Sequence, residues 1–236
     1  MLNYMFRFKQ FTVHQQRSAM KVGTDGVLIG AWASVRETDR TILDIGTGTG
    51  LIALMMAQRT PEAQIVAVEI DAESAEQARE NVAASPWSNR IRVEECAVQE
   101  FVAEQKFDLI VSNPPYFVDS FKCSDESRNT ARHTDTLSFV ELMRSAERLL
   151  APDGRFAVIV PSEAALSVIA AGRLHLVRRC DVRSKPKGSP KRVMLEFSPR
   201  FEGAAVREEM TIGDGSNGGY SPEYIALTRD FYLKFE

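Results

Sequence analysis

The chain has 236 residues, with 29 Lys and Arg against 32 Asp and Glu, a formal net charge of -3, and 44% hydrophobic residues. That length is enough for a sizeable core, and the composition is that of a globular protein, not of a disordered or fibrous one. Three cysteines, Cys96, Cys123 and Cys180, form no Cys-x-x-Cys pair. An odd, unpaired set argues against a disulfide framework and a structural zinc site, so no metal is expected and a reducing cytoplasm is the natural compartment. No stretch approaches membrane-spanning length, and the amino terminus lacks an apolar signal core.

From Tyr4 to Val13 apolar and polar residues alternate, which predicts a strand or extended arm. Lys21 to Gly26 reads as a polar glycine turn, and Val27 to Trp32 as a short buried helix capped by Thr24 or Asp25. Thr41 to Ile45 is a first buried strand, followed by Gly46-Thr47-Gly48-Thr49-Gly50 and a helix from Leu51 to Gln58. Strand, glycine turn and helix open a nucleotide-binding α/β unit. The spacing is not that of a dinucleotide loop, which needs a glycine at Leu51, and there is no Gly-Lys-Ser/Thr ending for a P-loop.

Ile65 to Val68 is a second strand ending at Glu69, where a carboxylate is placed to accept the ribose hydroxyls of an adenosine; Asp71 caps the next helix, Ala72 to Ala84. Arg90 to Glu94 is a third strand. Phe107 to Val111 is a fourth, closed by Ser112 and delivering Asn113-Pro114-Pro115-Tyr116. Two prolines make that turn stiff, so the Asn113 amide oxygen and the Pro114 carbonyl can face one point as acceptors beside the Tyr116 ring. Two acceptors and an aromatic face suit a planar amino group, on adenine or on a carboxamide.

The segment from Val118 to Thr136 has the length of a functional loop, and Arg128 and Arg132 within it are candidate phosphate contacts. His133 has no partner at metal-ligand spacing. A helix from Leu137 to Leu150, a strand from Gly154 to Val160 and a helix from Glu163 to Ala171 follow. His175 to Val182 and Arg192 to Phe197 then read as an antiparallel terminal hairpin. Between its strands, Arg183 to Arg192 carries five cations and no acid. With Arg178 and Arg179 it forms a local basic patch, in which Lys185, Lys187, Lys191 and Arg192 are candidate RNA contacts. A strand from Glu209 to Ile212, a glycine-rich turn and a helix from Pro222 to Leu233 complete the chain. The expected fold is a Rossmann-like α/β sheet, mostly parallel with an antiparallel terminal hairpin and helices on both faces. It forms one domain, 41–236, with a 1–40 extension that covers the cofactor.

The Asp44-x-Gly46-x-Gly48-x-Gly50 motif resembles the first motif of class I methyltransferases. The runs Phe8 to Phe11, Met20 to Trp32, Leu43 to Gly50, Ser85 to Trp87 and Ser112 to Tyr116 together resemble, over nearly the whole chain, the bacterial tRNA1(Val) adenine-N6 methyltransferase family. The resemblance implies S-adenosyl-L-methionine as cofactor, held by Lys21, Thr24, Asp44, Gly46, Gly48, Gly50, Glu69, Ala97 and Asn113. It also implies a tRNA anticodon loop as partner, with Asn113, Pro114 and Tyr116 as catalytic residues and a monomer as the working state. The sequence departs from the family at Ala97, where an aspartate is common; Glu95 or Glu100 could substitute. Phe8, Phe11 and Phe117 are candidate further stacking surfaces. No dedicated general base is evident. A glutamine methyltransferase would use the same turn on a carboxamide, but it resembles a chain with a longer helical amino-terminal domain. A DNA adenine methyltransferase needs a target-recognition region for which no segment is left.

Overall fold

The computed structural model describes residues 4–18, 20–115, 137–201 and 203–235. Two short strands, β1 (Met5–Arg7) and β2 (Thr12–His14), pair antiparallel at the amino terminus. The alternation from Tyr4 to Val13 is therefore a small hairpin and not one extended strand.

The main sheet has eight strands among the described residues. They are β3 (Thr41–Ile45), β4 (Gln64–Glu69), β5 (Ile91–Glu95), β6 (Phe107–Ser112), β7 (Leu150–Pro161), β8 (His175–Arg183), β9 (Arg192–Ser198) and β10 (Val206–Thr211), in the order β10-β8-β9-β7-β6-β3-β4-β5. β5, β4, β3, β6 and β7 are mutually parallel, and β9 is antiparallel to both β7 and β8. The mostly parallel sheet with an antiparallel β8–β9 hairpin is thus present. The hairpin is not the sheet edge, because β10 adds to β8 in parallel register, Val206 opposite Arg178. The apolar pattern of Glu209 to Ile212 marks a strand but cannot say which edge it joins.

The described helices are α1 (Thr24–Trp32), α2 (Leu51–Arg59), α3 (Ala72–Ala83), α4 (Phe139–Leu149), α5 (Ala165–Ala170) and α6 (Pro222–Thr228). Side chains of successive strand residues alternate between two cores. Ile42, Leu109, Val111, Ala157 and Ile159 pack with α1, α2 and the aromatic residues of the chain's two ends. Leu43, Ile45, Ile110, Phe156, Val158 and Val160 pack with α4 and α5.

The amino-terminal arm is pinned to the body by rings and amides. Phe8 stacks on Phe11 at 4.6 Å and on Tyr232 at 5.9 Å, and Phe11 meets Trp87 edge-on at 5.8 Å. Phe8 and Phe11 are buried at 4% and 6%, which corrects their reading as stacking platforms for a base: rings this deep are core. Farther along, Asn81 on α3 accepts from the His14 amide at 2.8 Å and donates to the His14 and Thr49 carbonyls, both at 2.8 Å. One turn earlier, the Gln77 side chain accepts from the amides of Gln16 and Arg17. Four-residue spacing puts both amides on one helix face, where they fix the arm against the glycine loop.

Asn81→Ala strips the partner from three backbone groups, so it is expected to cost about 1–3 kcal/mol. The check is a urea melt together with hydrogen exchange. The midpoint should fall, and residues 12–22 should lose amide protection before the main sheet does.

Candidate active site

The carboxyl ends of β3, β4 and β6 lie side by side, and two turns leave them toward a common space. The first is Gly46 to Gly50. Its three glycines adopt φ of +71°, +56° and +82°, a region that costs L-residues about 1–2 kcal/mol each. A Cβ on Gly46 would meet nothing within 4 Å, so the loop backbone is open to close approach by a ligand there. The loop is drawn onto β4 by the Gly46 and Thr47 amides, which donate to the Val68 carbonyl at 2.9 and 3.1 Å.

Glu69 ends β4 and fastens the loop's far side. One carboxylate oxygen accepts the Gly48 amide at 2.8 Å, and the other accepts the amides of Ile70 and Asp71 at 3.0 Å each. A carboxylate offers roughly four acceptor directions, so this conformation leaves about one for a ribose hydroxyl instead of the two that the sequence suggested. Asp71 caps α3 by accepting from Ser74 at 2.8 Å.

Asp44 sits beneath the loop, fully buried. Its Oδ2 accepts from the Thr47 hydroxyl at 2.5 Å and the Ala53 amide at 3.1 Å, while Oδ1 has no partner. Burial dominates its ionisation and, with Glu69 nearby, pushes its pKa up to about 7 against the two hydrogen bonds that lower it.

The second turn, Asn113-Pro114-Pro115, follows β6. The Ser112 hydroxyl ties that strand's end to Ile45 at the end of β3 by donating to its carbonyl at 2.9 Å. Between the turns lies a cavity of about 300 Å³, lined by 20–26, Gly46 to Thr49, Leu51, Ile52 and Asn113. Lys21 closes the segment over it. Its ammonium donates to the Gln15 and Ser18 carbonyls at 2.5 and 2.8 Å, and the Gln15 side chain accepts the Val22 amide at 2.7 Å. Of the expected site residues, Lys21, Thr24, Gly46, Gly48 and Asn113 line this cavity. Asp44 holds the loop's Thr47 hydroxyl and the Ala53 amide, the Gly50 amide closes the loop on the Thr47 carbonyl, and Glu69 stands at the next strand end.

Several expectations change. The residue before α1 is Gly23, with no side-chain cap, so neither Thr24 nor Asp25 caps that helix; both lie in its first turn. Asp25 instead pairs with Arg192 at 2.7 Å. Arg178 pairs with Glu208 at 3.0 Å, donates to the Trp32 carbonyl and the Ser34 hydroxyl, and lies 4.1 Å over the Trp32 ring. Arg179 holds Asp181 at 2.7 and 3.0 Å. All three arginines belong to the basic patch expected to contact RNA, and the fold engages each in an internal pair, with an acid from β10 for Arg178, from its own strand β8 for Arg179 and from α1 for Arg192. Lys185, Lys187 and Lys191 remain exposed. Ala97 opens the turn after β5, and Glu95, one candidate substitute for the family's aspartate, pairs with Arg79 at 3.4 Å. Tyr116, Phe117, Arg128, Arg132 and His133 lie outside the described residues. Among the described residues no cluster could hold a metal ion, and no helix is long and apolar enough to cross a membrane.

Comparison with known proteins fits this geometry. The methyltransferase small domain family matches residues 27–178. A protein of Phocaeicola vulgatus called tRNA1(Val) (adenine(37)-N6)-methyltransferase is 55% identical over 99% of both chains. This chain belongs to that methyltransferase family. A relative of the same name from Bacteroides thetaiotaomicron is 50% identical over 99% of both chains. Among solved structures, a predicted O-methyltransferase from Agrobacterium tumefaciens superposes with a TM-score of 0.67 at 21% identity, covering 88% of this chain and 96% of its own. That likeness concerns the fold alone.

The residues of this methyltransferase suit its donor, S-adenosyl-L-methionine. The backbone at Gly46 is open to it, and the unpartnered Asp44 Oδ1 lies under the same loop. The Asp44 carboxyl binds its proton more tightly folded than unfolded, so folding takes up a proton between the ordinary pKa of 3.8 and about 7. Its contribution to stability therefore declines as pH rises through that window. Urea melts of Asp44→Asn and the parent at pH 5 and pH 8 check this. The stability difference should move in the variant's favour at the higher pH, by up to about 3 kcal/mol.

Proposed function

We propose that this methyltransferase transfers a methyl group to N6 of an adenine in tRNA, adenine 37 of tRNA1(Val), acting as a monomer on the anticodon loop. The observation that carries the reading is the arrival of Asn113, with Pro114 next to it in the chain, at the wall of the cavity built by the glycine loop, where Asn113 lines it. The names of the 55% and 50% identical relatives support the nucleotide and the tRNA.

When bound, S-adenosyl-L-methionine supplies an electrophilic methyl group on a positively charged sulfonium. The chain's own part is alignment and electrostatics. Asn113 Oδ1 and the Pro114 carbonyl accept hydrogen bonds from the adenine amino group, which turns the nitrogen lone pair toward the donor and supports charge arriving there. Tyr116, next in sequence, is assigned the stacking role. An adenine in a single-stranded loop is easily splayed into such a cavity.

The basic loop between β8 and β9 supports an RNA partner by its position. β8 runs parallel to β7, and Arg192 stands opposite Pro161, so residues 184–191 hang over the same sheet edge as Asn113. The loop is braced from below: the Ile212 and Gly213 amides donate to the Arg183 and Ser184 carbonyls at 2.8 and 3.1 Å. Lys185, Lys187 and Lys191 are the phosphate contacts of this reading.

The test offers labelled donor with tRNA, ribosomal RNA, DNA and a release factor. Label on tRNA adenine supports the proposal, whereas label on a glutamine or on another nucleic acid replaces it. Asn113→Ala should retain donor affinity in calorimetry while losing about 100- to 1,000-fold in turnover, the usual scale for one preorganised hydrogen-bonding group. Converting Lys185, Lys187 and Lys191 to Gln together should weaken tRNA binding and lower the slope of log Kd against log salt by up to about three.

A further inference from the structure

Transfer of a methyl group onto an amino nitrogen leaves that nitrogen with one proton too many. The sulfur–methyl bond breaks as the nitrogen–methyl bond forms, the sulfur ends as a neutral thioether, and the positive charge passes to N6 until a proton departs. No base for this step is visible in the sequence. The structure contains a candidate, and the inference rests on the amino-methylation reading above.

The lining of the 300 Å³ cavity includes two titratable side chains among the described residues, Lys21 and Asp25. The Lys21 ammonium is bound to two backbone carbonyls and has no proton-accepting capacity in that form. Asp25 has that capacity. It stands in the first turn of α1, next to Gly26, and that turn is pressed against the acceptor side of the site. A Cβ on Gly26 would lie 3.0 Å from Leu51 Cδ2 and 3.9 Å from Asn113 Nδ2. A side chain at residue 26 would press on Leu51 and come into van der Waals contact with Asn113, so this turn of α1, which carries Asp25, packs beside the Asn113 amide. The carboxylate is held from behind by Arg192 Nε at 2.7 Å, with about a quarter of its side chain exposed. That contact fixes one carboxylate oxygen, Oδ2, against the guanidinium.

We infer that Asp25 is the carboxylate that receives the proton shed by the adenine amino group, and that Arg192 is its positioning residue. An exocyclic amine protonated on an aromatic ring is a strong acid, so a carboxylate is basic enough to take its proton. The partly exposed carboxylate then returns that proton to water. Before the proton moves, the same negative charge stabilises the cation forming on N6. Asp25 thus complements the acceptors on Asn113 and Pro114, which orient the amine without removing a proton. Arg192, expected from sequence to touch RNA, instead links the base of the lysine loop to the reaction centre.

The experiment compares the parent, Asp25→Asn and Asp25→Ala on tRNA. Donor and tRNA affinities are measured by calorimetry, turnover under saturating conditions, and folding by urea melt. The expected result for Asp25→Asn is a fall in kcat of about 100-fold, the usual contribution of a positioned base, with both affinities within about threefold of the parent and the melt retained. Asp25→Ala should regain part of its turnover when formate or acetate is added, a rescue that a purely structural carboxylate would not show. An unchanged kcat, a loss matched by weakened donor binding, or a lack of rescue in a folded Asp25→Ala each overturns the assignment. A parent protein that methylates no tRNA counts instead against the tRNA reading, and the same variants are then compared on whichever substrate takes the label.

Discussion

The hydrogen bond from the Gly48 amide to the Glu69 carboxylate joins the loop after β3 to the end of β4, and the site depends on it. Three residues of the glycine loop stand at positive φ, a conformation that only glycine adopts cheaply, and such a loop has many alternatives in an unfolded chain. Glu69 limits them by collecting three backbone amides on one carboxylate. The Val68 carbonyl takes two more from the loop itself. What results is an open stretch of backbone at a fixed height above the sheet, with the buried Asp44 beneath it.

The second constraint is the cover. Residues 14–18 and 20–26 are placed by polar groups: Asn81 at His14 and Gln77 at Gln16 and Arg17 from α3, and Lys21 and Gln15 from within the segment. The rings of Phe8, Phe11 and Tyr232 anchor the arm that precedes it. The carboxyl-terminal residues thereby help to shape a cavity they do not line. The α1 helix carries the cover's far end to Asn113, and the close approach of Leu51 Cδ2, 3.0 Å from where a Cβ would lie, accounts for a glycine at residue 26 in its first turn.

Much of this was legible in the chain because it follows from short-range rules. The buried strands, the glycine spacing, the acidic end of β4, the Asp71 cap and the Asn-Pro-Pro turn each rest on residues within about ten positions of one another. What was not legible depends on pairings across long separations. Arg178 looks like part of a basic patch until Glu208 arrives thirty residues later on β10. Arg192 looks the same until Asp25 meets it across 167 positions. The parallel addition of β10, the burial of Phe8 and Phe11, and the role of Gln77 and Asn81 share that cause. Two amides four residues apart on a helix whose other inward positions are serine, alanine and valine were the available signal, and it marks a buried polar face without naming its partner.

The central claim is that the glycine loop and the Asn113 turn form one centre for methylating an amino group on tRNA adenine. The most direct measurement is nucleoside mass spectrometry on tRNA1(Val) transcript treated with the purified protein and S-adenosyl-L-methionine, followed by fragment mapping. The account predicts a single N6-methyladenosine in the anticodon-loop fragment. A methyl group on a ring nitrogen or ribose, or on a fragment outside the anticodon loop, would contradict it.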